Sequence, residues 1–305
     1  MKRFLSKPYR WAAVYSILLT AAFTFVIMDT FVIEKSFAGA VSASSTSASA
    51  VNVATDKTKA NASVTDSSYN DGNIKITIDT VRDNGSTVYI ADIKVSDPSY
   101  LKTAFANGTY GRNIKETTSS MAEENKAIFA VNGDYYGFRN YGYVLKNGVP
   151  YRSTARSSGD DEALVIDKSG NFSIINESET SLASISSRDW QVLSFGPALI
   201  EDGKIVVDSS SEVSESMDSN PRTAIGQISK LHYIVVVSDG RTSESKGLSL
   251  LELAQVFDDR GCTVAYNLDG GGSSTMYFNG NIINKPTEGN GIVERKVSDI
   301  VYFGY

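Results

Sequence analysis

An apolar stretch near the N-terminus constrains this chain more than any other feature of its sequence. Trp11–Met28 contains no charged residue, and the apolar character extends to Ile33 with Asp29 as an interruption. A helix over Trp11–Ile33 would be about 35 Å long, enough to cross the hydrocarbon core of a bilayer. The sequence therefore predicts a transmembrane helix within residues 11–35, ahead of the globular part.

The charges around this stretch predict its orientation. Residues 1–10 contain Lys2, Arg3, Lys7 and Arg10 and no acid, so we expect a cytoplasmic N-terminal tail and a body on the other side of the membrane. The small residues Ala38-Gly39-Ala40 leave a cleaved signal peptide open as the alternative. The chain is then either a single-pass membrane protein with an extracytoplasmic C-terminal domain or a secreted protein.

The rest of the chain divides into a linker and a body. Residues 36–70 consist mostly of Ala, Ser, Thr, Val and Asn, a composition typical of a flexible linker. Residues 71–305 are about 235 residues long, which suits one domain.

Charge and rare residues exclude several classes of function. The chain has 29 Lys and Arg against 35 Asp and Glu, a net charge of −6, which argues against a nucleic-acid partner. The single Cys262 excludes an internal disulfide and a multi-cysteine metal site, and the single His232 excludes a His-rich one. We interpret both as structural residues. Catalysis is therefore expected to rest on Asp, Glu, Arg, Asn, Ser or Tyr.

Short apolar segments joined by turn signals predict a strand-rich body. Two helices are predicted, over Lys115–Asn125 and from Ser249, which fits a capping box, to Gly261. Five β-hairpins are predicted around the turns Asp83–Ser86, Asn147-Gly148, Lys168–Asn171, Asp202-Gly203 and Asn279-Gly280. The predicted class is α+β, a mixed, strand-rich sheet core with several hairpins and a few helices, preceded by one N-terminal transmembrane helix.

Three apolar strands each lead to an aspartate. Ala127–Val131 leads to Asp134, Tyr233–Val237 to Asp239 and Thr263–Tyr266 to Asp269. We interpret the three as central strands buried on both faces. If they are parallel neighbours, three carboxylates meet at one sheet edge, where ligand sites are favoured; antiparallel packing would scatter them.

The glycine-rich segment Asn267-Leu268-Asp269-Gly270-Gly271-Gly272-Ser273-Ser274 is the sharpest motif. Three glycines allow the backbone to approach a ligand closely, and exposed N–H groups beside Ser273 and Ser274 suit an anion. The alternative is a tight turn between strands. No G-K-[ST] follows, so the segment is not a P-loop.

Three weaker motifs also carry candidate site residues. Asn132-Gly133-Asp134-Tyr135 suits a sugar, because Asn and Asp bind hydroxyls and aromatic rings cover the apolar sugar face. Asn220-Pro221-Arg222-Thr223 and Asp239-Gly240-Arg241 each present an arginine that suits a phosphate. Each has a structural alternative: an Asx turn, a surface arginine and a self-paired turn. Arg295, near Ser298-Asp299, is equally well explained by a structural ion pair.

Taken together, these motifs resemble the phosphodiester glycosidase family. The strings that carry the resemblance are NGDYY at Asn132–Tyr136, FGPALIEDGK at Phe195–Lys204, NPRTAIG at Asn220–Gly226, VVVSDGR at Val235–Arg241, YNLDGGGSSTM at Tyr266–Met276 and RKVSDIVYF at Arg295–Phe303. The resemblance spans residues 126–305. It implies hydrolysis of the sugar C1–O bond of a glycosyl-1-phosphodiester of the GlcNAc-1-phosphate type, in a cell-wall or exopolysaccharide glycan.

On this interpretation each candidate residue receives a role. Asp134, Asp239 and Asp269 supply the nucleophile or general base. Asn132, Tyr135 and Asn267 are assigned to the sugar. The phosphate is assigned to Arg222, Arg241 and the Gly270–Ser274 loop, and Asn220, Thr223 and Arg295 are further substrate-binding candidates. Clustered acids also leave a Ca²⁺ or Mg²⁺ ion possible.

Two non-catalytic functions remain open at this point. One is a membrane-tethered module that binds a glycan or teichoic acid, and the other is a structural partner in polysaccharide assembly. The sugar, the aglycone, retention or inversion at C1 and the oligomeric state are not determined by the sequence.

Overall fold

The computed structural model describes residues 8–37, 62–157, 161–211, 219–289 and 291–305. The run of small residues at positions 38–40 and most of the basic tail lie outside these ranges. These ranges contain four α-helices, α1 (Pro8–Phe31), α2 (Thr118–Glu124), α3 (Leu182–Ile185) and α4 (Leu250–Asp258). Within the described ranges α1 is the helix long and apolar enough to cross a membrane, as the sequence predicts.

Twenty-three strands are described. In chain order they are β1 (Lys35–Ser36), β2 (Ser63–Val64), β3 (Ser68–Asn70), β4 (Ile74–Asp83), β5 (Ser86–Val95), β6 (Leu101–Phe105), β7 (Gly111–Arg112), β8 (Phe129–Asn132), β9 (Val144–Lys146), β10 (Val149–Arg152), β11 (Glu162–Asp167), β12 (Phe172–Asn176), β13 (Asp189–Leu193), β14 (Ala198–Glu201), β15 (Lys204–Ile205), β16 (Arg222–Ser229), β17 (His232–Ser238), β18 (Val264–Asn267), β19 (Met276–Phe278), β20 (Asn281–Ile282), β21 (Thr287–Glu288), β22 (Gly291–Ile292) and β23 (Asp299–Phe303).

Most of the strands form three open sheets. The largest has nine strands in the order β15-β14-β18-β16-β17-β5-β4-β3-β2, and the five-stranded sheets have the orders β10-β9-β13-β11-β12 and β20-β19-β8-β23-β6. The pairs β1-β7 and β21-β22 are separate ribbons. The α+β, strand-rich class is confirmed, and so are the five hairpins, since β4-β5, β9-β10, β11-β12, β14-β15 and β19-β20 pair across the predicted turns.

Of the two arrangements that the sequence left open for the three central strands, parallel neighbours are not the one observed. The strands β17 and β18 both flank β16 and run antiparallel to it, so they share a direction without touching. The strand β8 belongs to a different sheet, between β19 and β23. Apolar character predicts burial on both faces but not which strand is the hydrogen-bonding neighbour.

A core shared by the three sheets holds the body together. Its fully buried members include Ile93 and Val235 from the nine-stranded sheet, Leu164 from the second sheet and Phe129 from the third. Each such side chain contributes roughly 1.5–3 kcal/mol by leaving water. Tyr69, within the segment predicted to be a linker, is also buried in this core.

The helices cover the outer faces of two of the sheets. In α4 the apolar residues Leu250, Leu253, Ala254 and Phe257 pack on the nine-stranded sheet. The predicted capping box at its start is confirmed, because Ser249 Oγ accepts from Glu252 N while the Glu252 carboxylate accepts from Ser249 N. In α2, Met121 and Ala122 pack on the third sheet.

Candidate active site

The glycine-rich loop follows β18 at one end of the nine-stranded sheet. The register pairs Arg222 with Ser238 and Ala224 with Asn267. The end of β17, the start of β16 and the end of β18 therefore lie side by side. Gly271 N donates to Pro221 O at 2.8 Å, which holds the loop against the segment that precedes β16. The tertiary structure thus brings together three motifs that are far apart in the sequence.

Two arginines lie against this loop and explain its glycines. A Cβ atom at Gly271 would lie 2.7 Å from Arg241 Nη2, and one at Gly272 would lie 2.9 Å from Arg295 Cζ and overlap the Glu288 carboxylate. Gly271 also has a φ of +61°, a conformation that favours glycine. The loop backbone therefore lies against two guanidinium groups, with the Glu288 carboxylate beside Arg295.

The two arginines are held by different partners. Arg241 is exposed, and its Nε donates to Asn220 Oδ1 at 3.2 Å. Arg295 is half-buried and pairs with Glu288, with Nε and Nη2 at 2.8 and 2.7 Å from the carboxylate. The structural ion pair that the sequence left open for Arg295 is present, and its partner is Glu288.

Of the three predicted acids, Asp269 is the one that is partly exposed. It precedes the glycine loop and is half-buried. Removal of water around the carboxyl group raises its pKa to about 6, and the Ser273 hydroxyl and the charges of Arg295 and Arg139 partly offset this effect. A carboxyl group with this pKa changes protonation state close to neutral pH, as acid–base chemistry requires.

Asn132 joins the third sheet to the glycine loop. Its Nδ2 donates to Asp269 O at 2.6 Å, and its Oδ1 accepts from Thr223 Oγ1 at 2.8 Å and from Thr275 N at 3.3 Å. Asn132 and Thr223 are buried. The structure thus places both predicted ligand residues in contacts that position Asp269.

Asp134 lies behind the site in a buried network. Its Oδ1 accepts from Tyr136 N at 3.2 Å and its Oδ2 from Ser194 N at 2.9 Å. The Lys146 ammonium lies 3.5 Å from Oδ2. The carboxylate is fully buried, so its contacts are with protein groups that orient the segment.

Lys146 and Asp299 complete this network, and the sequence did not assign either to the site. Lys146 Nζ lies 2.6 Å from Asp299 Oδ2. Burial alone would lower the pKa of Lys146, but the carboxylates of Asp134 and Asp299 raise it overall. Burial and the neighbouring Asp134 raise the pKa of Asp299 to about 6, against the opposing charge of Lys146. Since 153 residues separate Lys146 from Asp299, no local pattern indicates the pair.

Asp239 lies on the same sheet edge but is buried. Its Oδ1 accepts from Lys285 N at 2.8 Å and its Oδ2 from Tyr89 Oη at 3.2 Å. Burial raises its pKa, while these hydrogen bonds partly offset the shift. Asp239 therefore ties the segment after β20 to β5.

Arg222 and Asn267 are also buried at this edge. Arg222 Nε donates to Leu248 O at 2.9 Å and its N donates to Ser238 Oγ at 3.0 Å. Asn267 Nδ2 donates to Gly196 O at 2.8 Å. His232 is the structural residue that the sequence predicts, paired with Asp92 at 3.0 Å, and Cys262 is buried.

An aromatic loop follows Asp134 and contributes a further arginine. Tyr135 has a φ of +67°, and its ring stacks on Phe138 at 4.7 Å. Arg139 Nη2 donates to Asp134 O at 3.3 Å, and its charge acts on Asp269. Arg139 directly follows the aromatic motif, but it was not among the predicted site residues.

Several buried polar atoms near the loop have no hydrogen-bond partner within the described residues. They are Asn267 Oδ1, Ser274 Oγ, Thr275 Oγ1 and Arg139 Nε. Buried polar atoms are ordinarily paired, and three of these belong to or directly flank the glycine-rich segment. The cluster therefore indicates a place that receives a polar ligand.

The described residues do not cluster as metal ligands. In the five described ranges, no group of three or more His, Cys, Asp or Glu side chains is placed to hold a metal ion.

Comparison with known proteins finds relatives of this chain. A family model described as phosphodiester glycosidase matches residues 125–304. The SPbeta prophage-derived uncharacterized protein YomE of Bacillus subtilis is 30% identical over 202 residues, 64% of this chain and 31% of that protein. Human N-acetylglucosamine-1-phosphodiester alpha-N-acetylglucosaminidase is 28% identical over 188 residues, 57% of this chain and 36% of that enzyme. The chain thus spans about a third of the length of these curated relatives.

Two solved structures share the fold. The zebrafish N-acetylglucosamine-1-phosphodiester alpha-N-acetylglucosaminidase catalytic domain, auto-inhibited by its pro-peptide, matches with a TM-score of 0.61 and 22% identity, over 76% of this chain and 83% of that one. A hypothetical protein from Synechocystis matches with a TM-score of 0.52 and 15% identity, over 75% and 62% of the two chains.

Proposed function

This chain belongs to the phosphodiester glycosidase family, and we propose that it hydrolyses the sugar C1–O bond of a glycosyl-1-phosphodiester. Water adds across that bond, so the products are a free sugar and a phosphomonoester. The observation that carries the proposal is the placement of Asp269, with its raised pKa, beside a glycine loop covered by Arg241 and Arg295. A carboxylate next to an anion-binding surface matches a substrate with a phosphate on its anomeric carbon.

The phosphate is proposed to bind on the loop between the two guanidinium groups. Arg241 is exposed and anchored by Asn220, so its remaining N–H donors are available in a set direction. The backbone of Gly270–Gly272 supplies a surface without side chains. Charge-assisted hydrogen bonds of this kind strengthen as negative charge develops on the departing phosphate.

Asp269 is proposed to act as the carboxylate base or nucleophile at C1. A phosphate is a good leaving group, so the reaction does not depend on a strong general acid. Asp134 and Asp239 are proposed to act indirectly, by holding the backbone around the site. Both are buried, and both accept hydrogen bonds from backbone N–H groups. Asn132 holds the Asp269 carbonyl and thereby positions the residue.

The sugar is proposed to lie between the aromatic loop and the glycine loop. Tyr135 stacks on Phe138 at an exposed position, and such rings cover the apolar face of a pyranose. Asn267 Oδ1, buried without a partner in the described part of the chain, is suited to accept from a sugar hydroxyl.

The setting is proposed to be the outer face of a cell membrane. Helix α1 serves as the anchor, and the body acts on glycosyl phosphodiesters of the cell wall or exopolysaccharide. The sequence pattern of basic residues before an apolar stretch supports this orientation.

The test is product analysis with the purified full chain. A GlcNAc-1-phosphodiester is incubated with the protein, and free reducing sugar and phosphomonoester are quantified beside the Asp269→Asn variant. We expect equimolar products from the natural chain and at least about a hundredfold less from the variant. If the diester binds but no product forms, the chain is a glycan-binding module and the proposal fails.

A further inference from the structure

The segment that follows the membrane helix is seated on the body. The strand β1 pairs with β7 in the register Lys35 with Arg112 and Ser36 with Gly111. Phe37 N donates to Tyr110 O at 3.1 Å, and the two aromatic rings are 5.8 Å apart. The helix end is therefore joined to the folded domain by backbone hydrogen bonds as well as by the chain itself.

The body carries two residues that fit this segment. Asn113 is buried, and its Nδ2 donates to Thr30 O at 3.1 Å and Ile33 O at 3.0 Å, so it satisfies carbonyls at the C-terminal end of the helix. A Cβ atom at Gly111 would overlap Lys35 O. Asn113 and Gly111 therefore both fit a body that holds the end of the helix. Without the helix end, the Asn113 amide would lose both of its acceptors.

A short series of contacts links this seat to the candidate site. Asn113 N donates to Gly137 O at 3.0 Å, and Gly137 belongs to the turn that follows Asp134. Arg152 Nη1 donates to Tyr136 O at 3.0 Å and Arg139 O at 2.7 Å, which keeps the aromatic loop in one conformation. The aromatic loop Tyr135–Tyr141, which forms the mouth of the proposed sugar site, therefore has a set position relative to the end of α1.

The aromatic loop at this mouth has the composition of a membrane–water interface. Tyr135 is 40% exposed and Tyr141 52% exposed, and Arg139 Cζ lies 6.0 Å from the Tyr141 ring. Tyrosine is enriched at the level of lipid headgroups, and arginine pairs with their phosphates. Asn113 contacts both the end of α1 and the turn at the start of this loop, so a bilayer crossed by α1 would lie beside the loop.

We infer that residues 29–37 form a permanent clamp that seats the Tyr135–Tyr141 loop on the bilayer, so that the site receives phosphodiesters held at the membrane surface. The substrate class in this inference rests on the proposed function. The placement of the loop on the bilayer is independent of that function. The clamp also requires that the N-terminal helix is retained.

Placement is tested first, with the full chain in vesicles of phosphatidylethanolamine and phosphatidylglycerol. An environment-sensitive NBD dye is attached through Tyr141→Cys or, as the control, Lys204→Cys. Lys204 is exposed beside Gly203, which hydrogen-bonds to Thr263 O at the sheet end opposite the site. The native Cys262 is buried and is not expected to react.

We expect a blue-shifted emission at position 141, quenched by lipid-borne quenchers, and an emission typical of water at position 204. Equal emission at both positions overturns the inference. So does mass spectrometry of the membrane-derived protein that shows cleavage after residues 38–40, since cleavage there removes β1.

The clamp is tested with two variants and a matched control. Asn113→Gly removes the amide but tolerates the φ of +60° at that position. Gly111→Ala adds a Cβ that overlaps Lys35 O in β1 and lies 2.6 Å from Ile114 Cδ1, so that β1 and the Ile114 side chain have to move. Asn107→Gly makes the same change at another left-handed position, φ +52°, with an exposed side chain. The substrates are a GlcNAc-1-phosphodiester of a long-chain alcohol in the vesicles and the methyl diester in solution.

We expect either clamp variant to lower kcat/KM for the vesicle-bound diester about tenfold, with turnover of the soluble diester and the Asn107→Gly variant unchanged. An equal change for both diesters, or no change for either, overturns the clamp. If no diester is hydrolysed at all, the proposed function fails while the dye experiment still decides the placement of the loop.

Discussion

The Lys146 ammonium lies 2.6 Å from the Asp299 carboxylate, with both side chains buried beneath the candidate site. Lys146 also lies 3.5 Å from Asp134, so one cation faces two carboxylates in a medium of low polarity. Lys146 ends β9 in the second sheet, and Asp299 begins β23 in the third. The pair therefore joins two sheets directly behind the segment that carries Asp134.

Lys146→Met should destabilise the fold strongly. The substitution leaves two buried carboxylates without a cation, and breaking such a pair costs about 3–5 kcal/mol. Urea unfolding measures the loss. The matched control is Lys285→Met, because Lys285 pairs with Glu244 at an exposed position and should change stability by at most about 0.5 kcal/mol. Equal losses for the two variants would contradict the proposed role of the network.

Asp269→Asn should lose activity and gain stability at neutral pH. The pKa of Asp269 is raised to about 6 in the fold, so keeping this group ionised costs stability above that pH. The neutral amide avoids the cost, and we expect a gain of about 1–2 kcal/mol at pH 7.5 after allowance for partial exposure.

The size of this effect changes with pH in a defined window. Natural Asp269 is protonated below about pH 6 in the folded state and below about pH 4 in the unfolded state. The advantage of the variant should therefore shrink as the pH falls through 6 and vanish below 4. Thermal unfolding followed from pH 4 to pH 8 measures it, and a constant difference would contradict the raised pKa.

The rate should depend on pH through the same group. If Asp269 reacts as a carboxylate, kcat/KM rises with pH and levels off above about 6, the pKa in the free enzyme. The substrate phosphate adds negative charge nearby, so the acidic limb of kcat should lie at a higher pH than that of kcat/KM. Initial rates between pH 4.5 and 8.5 test this, and a pH-independent rate would remove Asp269 from the chemistry.

The two arginines that the sequence assigned to the phosphate, Arg241 and Arg222, should respond differently to substitution. Arg241 is exposed over the glycine loop, so Arg241→Met should raise KM about tenfold to a hundredfold with little change in stability. Arg222 is buried and donates to Leu248 O. Arg222→Met should therefore cost about 1.5–3 kcal/mol of stability, because it removes a buried charged donor from Leu248 O, which keeps Asn220 N as its other donor.

Kinetics and urea unfolding on the same preparations separate these outcomes. If Arg222→Met raises KM while its stability is unchanged, the guanidinium of Arg222 faces the phosphate, and the assignment to Arg241 has to be revised.

Local features of the fold were predictable because short segments encode them. The turns Asn84-Gly85, Asn147-Gly148, Asp202-Gly203 and Asn279-Gly280 all adopt positive φ, as tight hairpins require. The capping box at Ser249 depends on residues three positions apart. The glycine loop was predictable for the same reason, since the glycines that its backbone conformation needs are consecutive in the sequence.

Long-range relationships were not predictable in this way. The continuous apolar character of β8, β17 and β18 indicated burial, but their sheets and antiparallel pairings depend on how the whole chain packs. Three aspartates with similar local patterns ended in different environments: Asp134 and Asp239 are buried, and Asp269 is half-buried. No periodicity within a strand specifies that difference.

The sequence by itself determined the N-terminal apolar helix, the hairpins, the capping box at Ser249 and the family motifs, because each depends on neighbouring residues or on consecutive apolar character. The tertiary structure alone decided that Asn132 holds Asp269, that Lys146 pairs with Asp299, and that Asn113 receives the end of α1. These contacts join residues more than 80 positions apart. Their strength comes from exclusion of water at sites that exist only once the sheets have packed.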